Sequence, residues 1–386
     1  MTKTTKKPKP CKRGHDPKHR DKHGNCRLCA REAQKRYMER KKGRSEWAKH
    51  NDHAKVPEGY AIKGTSTLRK VVDPETGELV NQWQKTDRDG LDRVQAVLDA
   101  FAEVADSVRV VDPLPEPTTT MREDLLTVYP MGDPHLGLYA WAEETGDRNF
   151  DLETATAELF GAVDELVSMV PASKTAVVLP LGDTFHSDDS TNRTRRSGHA
   201  LDVDGRYAKV ARVGVQTMVR VVERALQRHE EVIFKPIVGN HDDESSLWLG
   251  LCLEQRYANE PRVTVDTSPC KFWYHRFGKV LLGSTHTDTV KAKGPTLAEV
   301  MACDRPEDWA ATRYRYWYGG HIHQASVVER PGCVIETFPT LAARDSYAAG
   351  RGYRSSQRMQ AIVHHAEYGE LNRYTTPIAR VMELAA

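Results

Sequence analysis

The alternation of short apolar segments with helix-like segments after residue 121 constrains the fold more than any other feature of this sequence. Three apolar runs, LLTVYP, TAVVLPL and EVIFKPIV, are each followed by a stretch with apolar positions at helical spacing, over about 152–170, 206–228 and 246–257. A series of β-like runs follows, from KFWYHRF to QAIVHHAEY. Strands that alternate with helices and then follow one another directly predict a layered α/β domain.

Length and composition limit the class of protein. A chain of 386 residues is long enough for two or three structural units. With 39% hydrophobic and 28% charged residues, the composition is typical of a soluble globular protein. No apolar run approaches the length of a membrane span, and the charged N-terminus lacks the apolar core of a secretory signal. We therefore expect no membrane association, a cytoplasmic location (bacterial, or that of the host if a phage encodes the chain) and reduced cysteines.

The small net charge of +2 hides two oppositely charged parts. Residues 1–55 contain 19 Lys and Arg against 6 Asp and Glu, a net charge of +13, so the rest of the chain carries −11. This asymmetry predicts a basic module that meets a polyanion, attached to a larger acidic body. A solvated basic tail is the alternative interpretation.

The basic segment contains a group of cysteines and histidines. The pattern C-x3-H-x10-C-x2-C is formed by Cys11, His15, Cys26 and Cys29. Three thiolates and one imidazole suit a tetrahedral structural Zn²⁺, which would stabilise a segment too short for its own core. His19 and His23 compete for the imidazole position. The pattern resembles small zinc modules of phage and bacterial endonuclease-type proteins, and a basic helix predicted over 30–44 would add phosphate contacts.

The sequence predicts five parts: a disordered basic tail (1–10), a zinc-binding basic module (11–45), a hairpin and helix connector (46–111), a Pro-rich linker (112–120) and the α/β domain (121–386). Within the connector, apolar runs flank DPETG, which predicts a β-hairpin over about 59–86. Apolar positions at helical spacing predict a helix over 91–108. The linker is predicted from DPLPEPTTT.

Polar clusters follow the predicted strands. The first three strands end at GDPH, GDTFH and GNHD, and two later strands end at STHTD and GGHIH. Ligands of open α/β sheets bind beyond the carboxyl ends of strands, and glycine permits the sharp turns that aim side chains at one point. Imidazole and carboxylate bind Mn²⁺, Fe²⁺ and Zn²⁺, and a carboxylate such as Asp183 can bridge two ions. The side chains expected to converge are Asp133, His135, Asp183, Asn240, His241, His286, His321 and His323.

In this order, D-x-H, GD, GNHD, a single later His and G-H-x-H resemble the motifs of the calcineurin-like metallophosphoesterase superfamily, over about residues 125–340. The resemblance implies a two-sheet β-sandwich flanked by helices, with two divalent metals at one edge. Mn²⁺ is the expected metal, with Fe²⁺ or Zn²⁺ as alternatives. A metal-bridging water or hydroxide would attack phosphorus. The implied ligands of one metal are Asp133, His135, Asp183 and His323, and those of the other are Asp183, Asn240, His286 and His321.

The resemblance also implies catalytic roles. His241 would protonate the leaving oxygen or stabilise the transition state, and Asp242 would orient it. GDTFH is similar to the corresponding segment of double-strand-break repair nucleases, in which the matching histidine lies near the scissile phosphate. His186 is therefore a second candidate catalytic or phosphate-positioning group, with a role as a turn residue as the alternative. Two other pairs lack such a context and are interpreted as ordinary: His364 with His365, and His50 with His53.

Two further segments favour nucleic acid as the substrate. The basic stretch after GDTFH offers guanidinium groups for phosphate: Arg193, Arg195, Arg196 and Arg206. Residues 342–358 combine Arg and Tyr and are a candidate surface for backbone and bases. Either segment is equally interpretable as a solvated loop.

The leading prediction is a dinuclear metal-dependent phosphoesterase that acts as a DNA nuclease. A phosphatase or a small-molecule phosphodiesterase of the cyclic-nucleotide type is the alternative enzyme, and a nucleic-acid-binding protein with an inactive metal site is the alternative of another class. The repair nucleases carry a C-terminal capping domain and a partner ATPase. The short stretch after GGHIH leaves little room for a cap, so a partner ATPase is not favoured.

Overall fold

The computed structural model describes residues 28–29, 64–72, 79–87, 114, 117, 119–290 and 296–385. The chain divides into two compact units, Met1–Asp92 and Arg93–Ala386. The predicted basic tail, most of the zinc module and most of the linker lie outside the described residues. Of the four predicted zinc ligands only Cys29 is described. The structural zinc site and the predicted boundary at 112–120 therefore stay predictions.

In the first unit the described strands form an antiparallel hairpin. Strand β1 (Gly64–Val72) pairs with β2 (Leu79–Asp87) along its whole length. The predicted hairpin around DPETG is confirmed by the two described strands; residues 59–63 of the predicted range lie outside the described residues. The helix predicted over 91–108 lies outside the described residues.

The larger sheet of the second unit is mostly parallel. Its strands are β3 (Arg122–Met131), β4 (Ser173–Pro180), β5 (Glu231–Phe234), β6 (Val263–Val265), β12 (Arg358–His365) and β13 (Gly369–Pro377). Their order is β13-β12-β3-β4-β5-β6. The four strands from β3 to β6 run parallel, whereas β12 and β13 are antiparallel to their neighbours.

The smaller sheet combines parallel and antiparallel pairs. Its strands are β7 (Trp273–Phe277), β8 (Val280–Thr285), β9 (Tyr314–Gly319), β10 (Ser326–Arg330) and β11 (Cys333–Thr337). Their order is β10-β11-β9-β8-β7, and β8, β9 and β11 run parallel. Five of the parallel strands of the two sheets carry the polar clusters at their carboxyl ends: β3, β4, β5, β8 and β9.

Helices connect and cover the strands. They are α1 (Ala142–Thr145), α2 (Leu152–Met169), α3 (Tyr207–Leu226), α4 (Ser245–Arg256), α5 (Leu297–Asp304), α6 (Pro306–Ala311), α7 (Ser346–Gly350) and α8 (Ile378–Ala385). The sequence predicted α2, α3 and α4 to within two residues. The others have at most eight residues, too few to show helical periodicity. In the described part of the chain, no helix has the length and apolarity needed to cross a membrane.

Alternating side chains of the strands divide the core into layers. Leu126 of β3 packs with Leu282 of β8 in a cluster between the two sheets. Tyr129, on the other face of β3, belongs to the cluster that α2, α3 and α4 share with the larger sheet. Trp317 of β9 packs with Met301 of α5 on the outer face of the smaller sheet. The predicted α/β fold, with two sheets flanked by helices, is confirmed.

Candidate metal centre

The polar clusters predicted at the strand ends lie at one edge of the sandwich. Those after β3, β4 and β5 leave the larger sheet, and those after β8 and β9 leave the smaller sheet. Because parallel strands direct their carboxyl ends to the same side, the clusters of each sheet gather there. Contacts between side chains of the two sheets bring them into a single site.

The first group of candidate ligands joins Asp133 and His135 of the larger sheet to His323 of the smaller sheet. His135 Nε2 lies 3.1 Å from His323 Nε2, which lies 3.8 Å from Asp133 Oδ1. Ligand bonds of about 2.1 Å at angles of about 90–109° place neighbouring ligand atoms about 3.0–3.4 Å apart. The two imidazoles therefore have the separation expected for ligands of one cation.

The second group contains Asp183, His286 and His321. His286 Nε2 lies 3.1 Å from Asp183 Oδ2 and 3.1 Å from the Oδ1 atom of Asn240. The ring centroids of His286 and His321 are 5.1 Å apart. This second group therefore also brings nitrogen and oxygen atoms to the spacing expected of metal ligands. The amide oxygen of Asn240 is a further candidate ligand.

The two groups are adjacent. Asp133 Oδ1 lies 3.8 Å from His286 Nδ1 and accepts a hydrogen bond of 2.9 Å from the backbone N–H of His321. His321 and His323, separated by one residue, lie in different groups. The structure therefore places the two imidazoles of GGHIH on two neighbouring candidate metal positions.

The backbone of the site is strained. Non-glycine residues rarely adopt positive φ angles, and each such residue costs about 1–3 kcal/mol unless its surroundings compensate. Five candidate ligands have φ angles between 42° and 72°: Asp133, His135, Asp183, His321 and His323. Strain concentrated in this way is typical of functional sites, and it shows that the ligands themselves make the turns that the sequence assigned to glycine.

The glycines beside the candidate ligands mainly allow ligand side chains to approach the backbone closely. Gly182 has a φ angle of 96°, and a Cβ atom there would lie 2.4 Å from His286 Nδ1. A Cβ atom on Gly239 would lie 2.1 Å from Asp183 Oδ1. Larger residues at these positions would displace a candidate ligand.

Electrostatics of the site favour neutral histidines around one buried ion pair. Burial raises the pKa of Asp133 to about 7. Burial opposes ionisation of Asp183 too, but the neighbouring His286 holds its pKa well below the ordinary value. Burial alone would lower the pKa of His286, and the charge of Asp183 instead raises it to about 10. Burial lowers the pKa of His323 to about 4 and that of His135 well below 6.5, so both are neutral, the form that binds metals.

His241 and His186 stack beside the first group. Their ring centroids are 5.4 Å apart, and together with His135 they form a third set that could hold a cation. His241 Nδ1 lies 2.9 Å from the backbone oxygen of His186, which can only accept, so Nδ1 carries the hydrogen and Nε2 stays available. Burial lowers the pKa of His186 to about 3, and its Nε2 atom is buried without a hydrogen-bond partner among the described residues. The other ring nitrogen, Nδ1, lies 3.3 Å from His135 Nδ1, so the ring sits against a candidate ligand while Nε2 has no partner in the described part of the chain.

Asp242 has a different position from the one the sequence predicted. Its buried carboxylate accepts hydrogen bonds from the backbone N–H groups of Asp183, Thr184, Phe185 and Gly239, at 2.7–3.2 Å. The contact that orients the His241 ring comes from the carbonyl of His186 instead. Asp242 therefore holds the two ligand turns together rather than acting on His241.

The four predicted phosphate-binding arginines differ in their availability. Arg195 pairs with Glu244 and Asp188, and Arg196 pairs with Asp243 and Asp288. Arg193 donates to the backbone oxygen of Gly198, and Arg206 is exposed just before α3. The carboxylates that hold the guanidinium groups of Arg195 and Arg196 compete with any phosphate.

Two polar residues of the site were missed by the sequence analysis. Asp188 accepts from Ser245 N and Ser245 Oγ, at 2.8 and 2.7 Å, and so ties the GDTFH segment to the start of α4. Thr340 Oγ1 donates to the backbone oxygen of Asp133 at 2.8 Å. The acidic run after GDTFH was a signal for Asp188, whereas nothing in the local sequence indicated Thr340.

The remaining described histidine pair lies away from this edge. His364 is fully buried and its Nε2 lies 2.8 Å from the hydroxyl oxygen of Tyr318. His365 Nε2 lies 3.2 Å from Asp124 Oδ2. Both have structural partners, as their interpretation as ordinary histidines predicts; His50 and His53 lie outside the described residues.

Comparison with known proteins identifies no close relative. No protein-family model and no curated protein matches the sequence. A predicted phosphoesterase from Streptococcus pneumoniae aligns over 67% of this chain and 100% of its own, at 11% identity and a TM-score of 0.27. Zinc-complexed Vps29 from Entamoeba histolytica aligns over 65% of this chain and 99% of its own, at 11% identity and a TM-score of 0.28. PhoD aligns over 68% of this chain and 70% of its own, at 6% identity and a TM-score of 0.29. Since these TM-scores are below 0.5, function is inferred from the residues of this chain alone.

Proposed function

We propose that this protein is a dinuclear metal-dependent phosphoesterase that hydrolyses phosphodiester bonds, with DNA as its substrate. The observation that supports this function most directly is the convergence of two adjacent groups of imidazole and carboxylate side chains from both sheets. Their separations of 3.1 Å, the neutral rings of His135 and His323 and their strained backbones fit bound divalent cations. Backbone strain concentrated in one cluster of polar side chains is typical of functional sites.

The proposed ligands divide into two sets that share one carboxylate. Asp183 joins the sets, because it touches His286 while its charge also acts on His135. When bound, two divalent cations, Mn²⁺ by preference and Fe²⁺ or Zn²⁺ as alternatives, would activate water and offset charge on the phosphate. The first set is Asp133, His135, Asp183 and His323, and the second is Asp183, Asn240, His286 and His321.

His241 is the proposed proton donor to the leaving oxygen. Its Nδ1 hydrogen is engaged by the carbonyl of His186, which leaves Nε2 to hold and transfer the proton. His186, neutral and buried behind it, supplies an unpaired nitrogen that would position a phosphate oxygen or its water. Proton transfer is thus assigned to the half-buried ring of His241, and positioning of the phosphate or its water to the buried ring of His186.

The charge of the N-terminal segment supports DNA as the partner. Residues 1–55 carry a net charge of +13, which suits a phosphate backbone. A structural Zn²⁺ on Cys11, His15, Cys26 and Cys29 would order this segment. Metal analysis checks the zinc proposal, since Cys26→Ser should remove one zinc ion per chain while leaving the other metals bound.

Hydrolysis assays with the full chain and Mn²⁺ test the proposal. The substrates are single- and double-stranded DNA, RNA, cyclic nucleotides and a chromogenic phosphodiester. We expect DNA and the chromogenic diester to be cleaved, and His241→Ala to lower kcat by about 10²–10⁴-fold, the usual contribution of a general acid. His365→Ala, a histidine at the other end of β3, is the matched control and should keep wild-type activity.

The other outcomes separate the alternatives. Turnover of the chromogenic diester or cyclic nucleotides without cleavage of nucleic acid would identify a phosphatase or small-molecule phosphodiesterase. Nucleic-acid binding without any turnover, unchanged in His241→Ala, would identify a binding protein with an inactive metal site.

A further inference from the structure

A group of large aromatic side chains beside the metal centre is exposed to solvent. About half of each side chain is accessible, which is unusual for residues whose burial stabilises a fold. These side chains are Tyr139 (45%), Trp141 (49%), Tyr347 (51%) and Tyr353 (48%), together called the aromatic surface below. Clustered exposed aromatic groups indicate an interaction site rather than chance exposure.

Direct contacts join the segments that carry the aromatic surface. The backbone N–H of Tyr139 donates to the Asp202 carbonyl at 3.0 Å, and Asp202 Oδ2 accepts from Ser346 Oγ at 2.8 Å. Ser346 immediately precedes Tyr347. One acidic residue therefore holds the segment after His135 against α7.

The two other aromatic residues belong to the same place. Trp141 precedes α1, which packs beside α7. The backbone N–H of Tyr353 donates to the Ala348 carbonyl of α7 at 3.0 Å. All four residues thus lie on α7 or on segments that touch it.

The aromatic surface borders the metal centre. Thr340 Oγ1 donates to the Asp133 carbonyl, which fixes the segment that leads into α7 against a ligand turn. The backbone N–H of Leu138, immediately before Tyr139, donates to the carbonyl of the candidate ligand His135 at 2.9 Å. A chain lying on the aromatic surface would therefore lie next to the turn that carries Asp133 and His135.

Positive charge accompanies the aromatic rings. The guanidinium carbon of Arg351 lies 4.5 Å from the ring centroid of Tyr347, and Arg354 is exposed nearby. Within the described ranges neither arginine forms a salt bridge with a carboxylate, in contrast to Arg195 and Arg196. Arg354 Nη1 donates to the Tyr353 carbonyl at 2.8 Å, so its guanidinium group is held near the rings with no neutralising carboxylate among the described residues. Such guanidinium groups suit phosphates, and the flat rings beside them suit bases.

We propose that the aromatic surface stacks the bases of a single-stranded nucleic acid whose backbone enters the metal centre. The inference rests on the proposed function and names its substrate class. Every base has a π-face, so stacking on aromatic side chains binds single strands with little sequence preference. A duplex hides these faces between its own base pairs, so it cannot use the surface without being opened.

Two double variants of the full chain test the proposal. Trp141→Ala with Tyr347→Ala removes two exposed rings, whereas Trp141→Phe with Tyr347→Phe keeps them. Tyr368→Ala is the matched control, because Tyr368 is 66% exposed and follows β12 at the edge opposite the metal centre. Each protein is assayed with Mn²⁺ on a short oligothymidylate, the same strand with abasic residues, its blunt duplex and a chromogenic phosphodiester.

We expect the alanine variant to lose about tenfold or more in kcat/KM on oligothymidylate, since one stacked base contributes about 1–3 kcal/mol. Its activity on the abasic strand and on the chromogenic diester should be unchanged. The phenylalanine variant and Tyr368→Ala should match the wild type. Fluorescence anisotropy with EDTA should show the same loss of preference for base-containing over abasic strands.

Two results would overturn the proposal while leaving the proposed function intact. One is equal loss, or no loss, on base-containing and abasic strands with the chromogenic activity retained. The other is cleavage of blunt duplex as fast as single strand. Failure of the wild type to cleave any phosphodiester would instead refute the proposed function, and the anisotropy measurement would then decide alone whether the surface binds bases.

Discussion

His135 Nε2 and His323 Nε2 lie 3.1 Å apart, although 188 residues separate them in the chain. One imidazole follows a strand of the larger sheet and the other follows a strand of the smaller sheet. Burial keeps both rings neutral, because it lowers the pKa of His323 to about 4 and that of His135 well below its ordinary value. A shared cation would satisfy both nitrogens, and its binding would link the two sheets.

Binding of Mn²⁺ should therefore stabilise the folded protein. At a free concentration 100 times the dissociation constant, one bound ion adds about 2.7 kcal/mol to the free energy of unfolding. Asp183→Asn should abolish most of this effect because it removes the carboxylate shared by the two ligand sets. Asp189→Asn, an exposed neighbour, should keep it. Thermal unfolding with and without Mn²⁺ measures the difference, and equal shifts in the two variants would contradict the assignment of Asp183.

Gly182→Ala should weaken metal binding through His286. The added Cβ would lie 2.4 Å from His286 Nδ1, so the ring must move. Gly146→Ala is the matched control, since Gly146 also has a positive φ angle but no atom within 4 Å of the added Cβ. Both variants should lose about 1 kcal/mol of stability from backbone strain.

Calorimetric titration with Mn²⁺ separates these two effects. We expect a lower affinity or stoichiometry for Gly182→Ala and wild-type values for Gly146→Ala. Unchanged binding in Gly182→Ala would show that His286 is not a ligand.

Asp242→Asn should mainly reduce stability. Asp242 Oδ1 accepts from the N–H groups of Asp183 and Gly239, and Oδ2 accepts from those of Thr184 and Phe185. Asparagine replaces one of these two acceptors with an amide group that donates. Leaving such buried donors unpaired costs about 1–3 kcal/mol. Asp243→Asn, whose carboxylate pairs with a partly exposed Arg196, should cost less than about 1 kcal/mol.

Urea unfolding of both Asp242→Asn and Asp243→Asn measures these costs. If Asp242 acted on His241 instead, its variant would lose kcat while keeping the stability of the wild type.

The buried His229 should make the protein less stable in acid. Its Nε2 lies 2.8 Å from the Tyr129 hydroxyl, and its Nδ1 lies 3.1 Å from the Ser173 carbonyl, to which it donates. Burial lowers its pKa to about 4, whereas in the unfolded chain it titrates near the ordinary value of about 6.5. Between these values the unfolded chain binds more protons. The free energy of unfolding therefore falls as pH decreases from about 6.5 to about 4, by up to about 3 kcal/mol.

Urea unfolding across this pH range, with EDTA present, checks the contribution of His229. His229→Gln should show a smaller slope of unfolding free energy with pH than the wild type. His199→Gln, in an exposed position, should keep the wild-type slope. Identical slopes in all three proteins would assign the acid sensitivity to other groups.

Much of the fold was predictable because the sequence patterns that indicate its helices and strands are local. Helices α2, α3 and α4 are long enough to show periodic apolar positions, and the buried parallel strands are continuous apolar runs. The short helices α1 and α7 carry no such period, yet α7 holds Tyr347 of the aromatic surface. Arg195 and Arg196 were predicted from composition as phosphate contacts. Composition could not predict that they pair with acidic side chains distant in sequence.

The sequence by itself determined which residues could bind metal, since the polar clusters stand directly after strands and carry imidazole, carboxylate and amide groups. The alternation of strands and helices also determined the layered α/β class, and the motif resemblance implied two sheets. Only the tertiary structure decided which contacts bring the candidate ligands together, that Asp133 and Asp183 adopt positive φ angles, and that Asp242 accepts from backbone N–H groups. These features depend on contacts between residues far apart in the chain, which exist only after the two sheets have packed together.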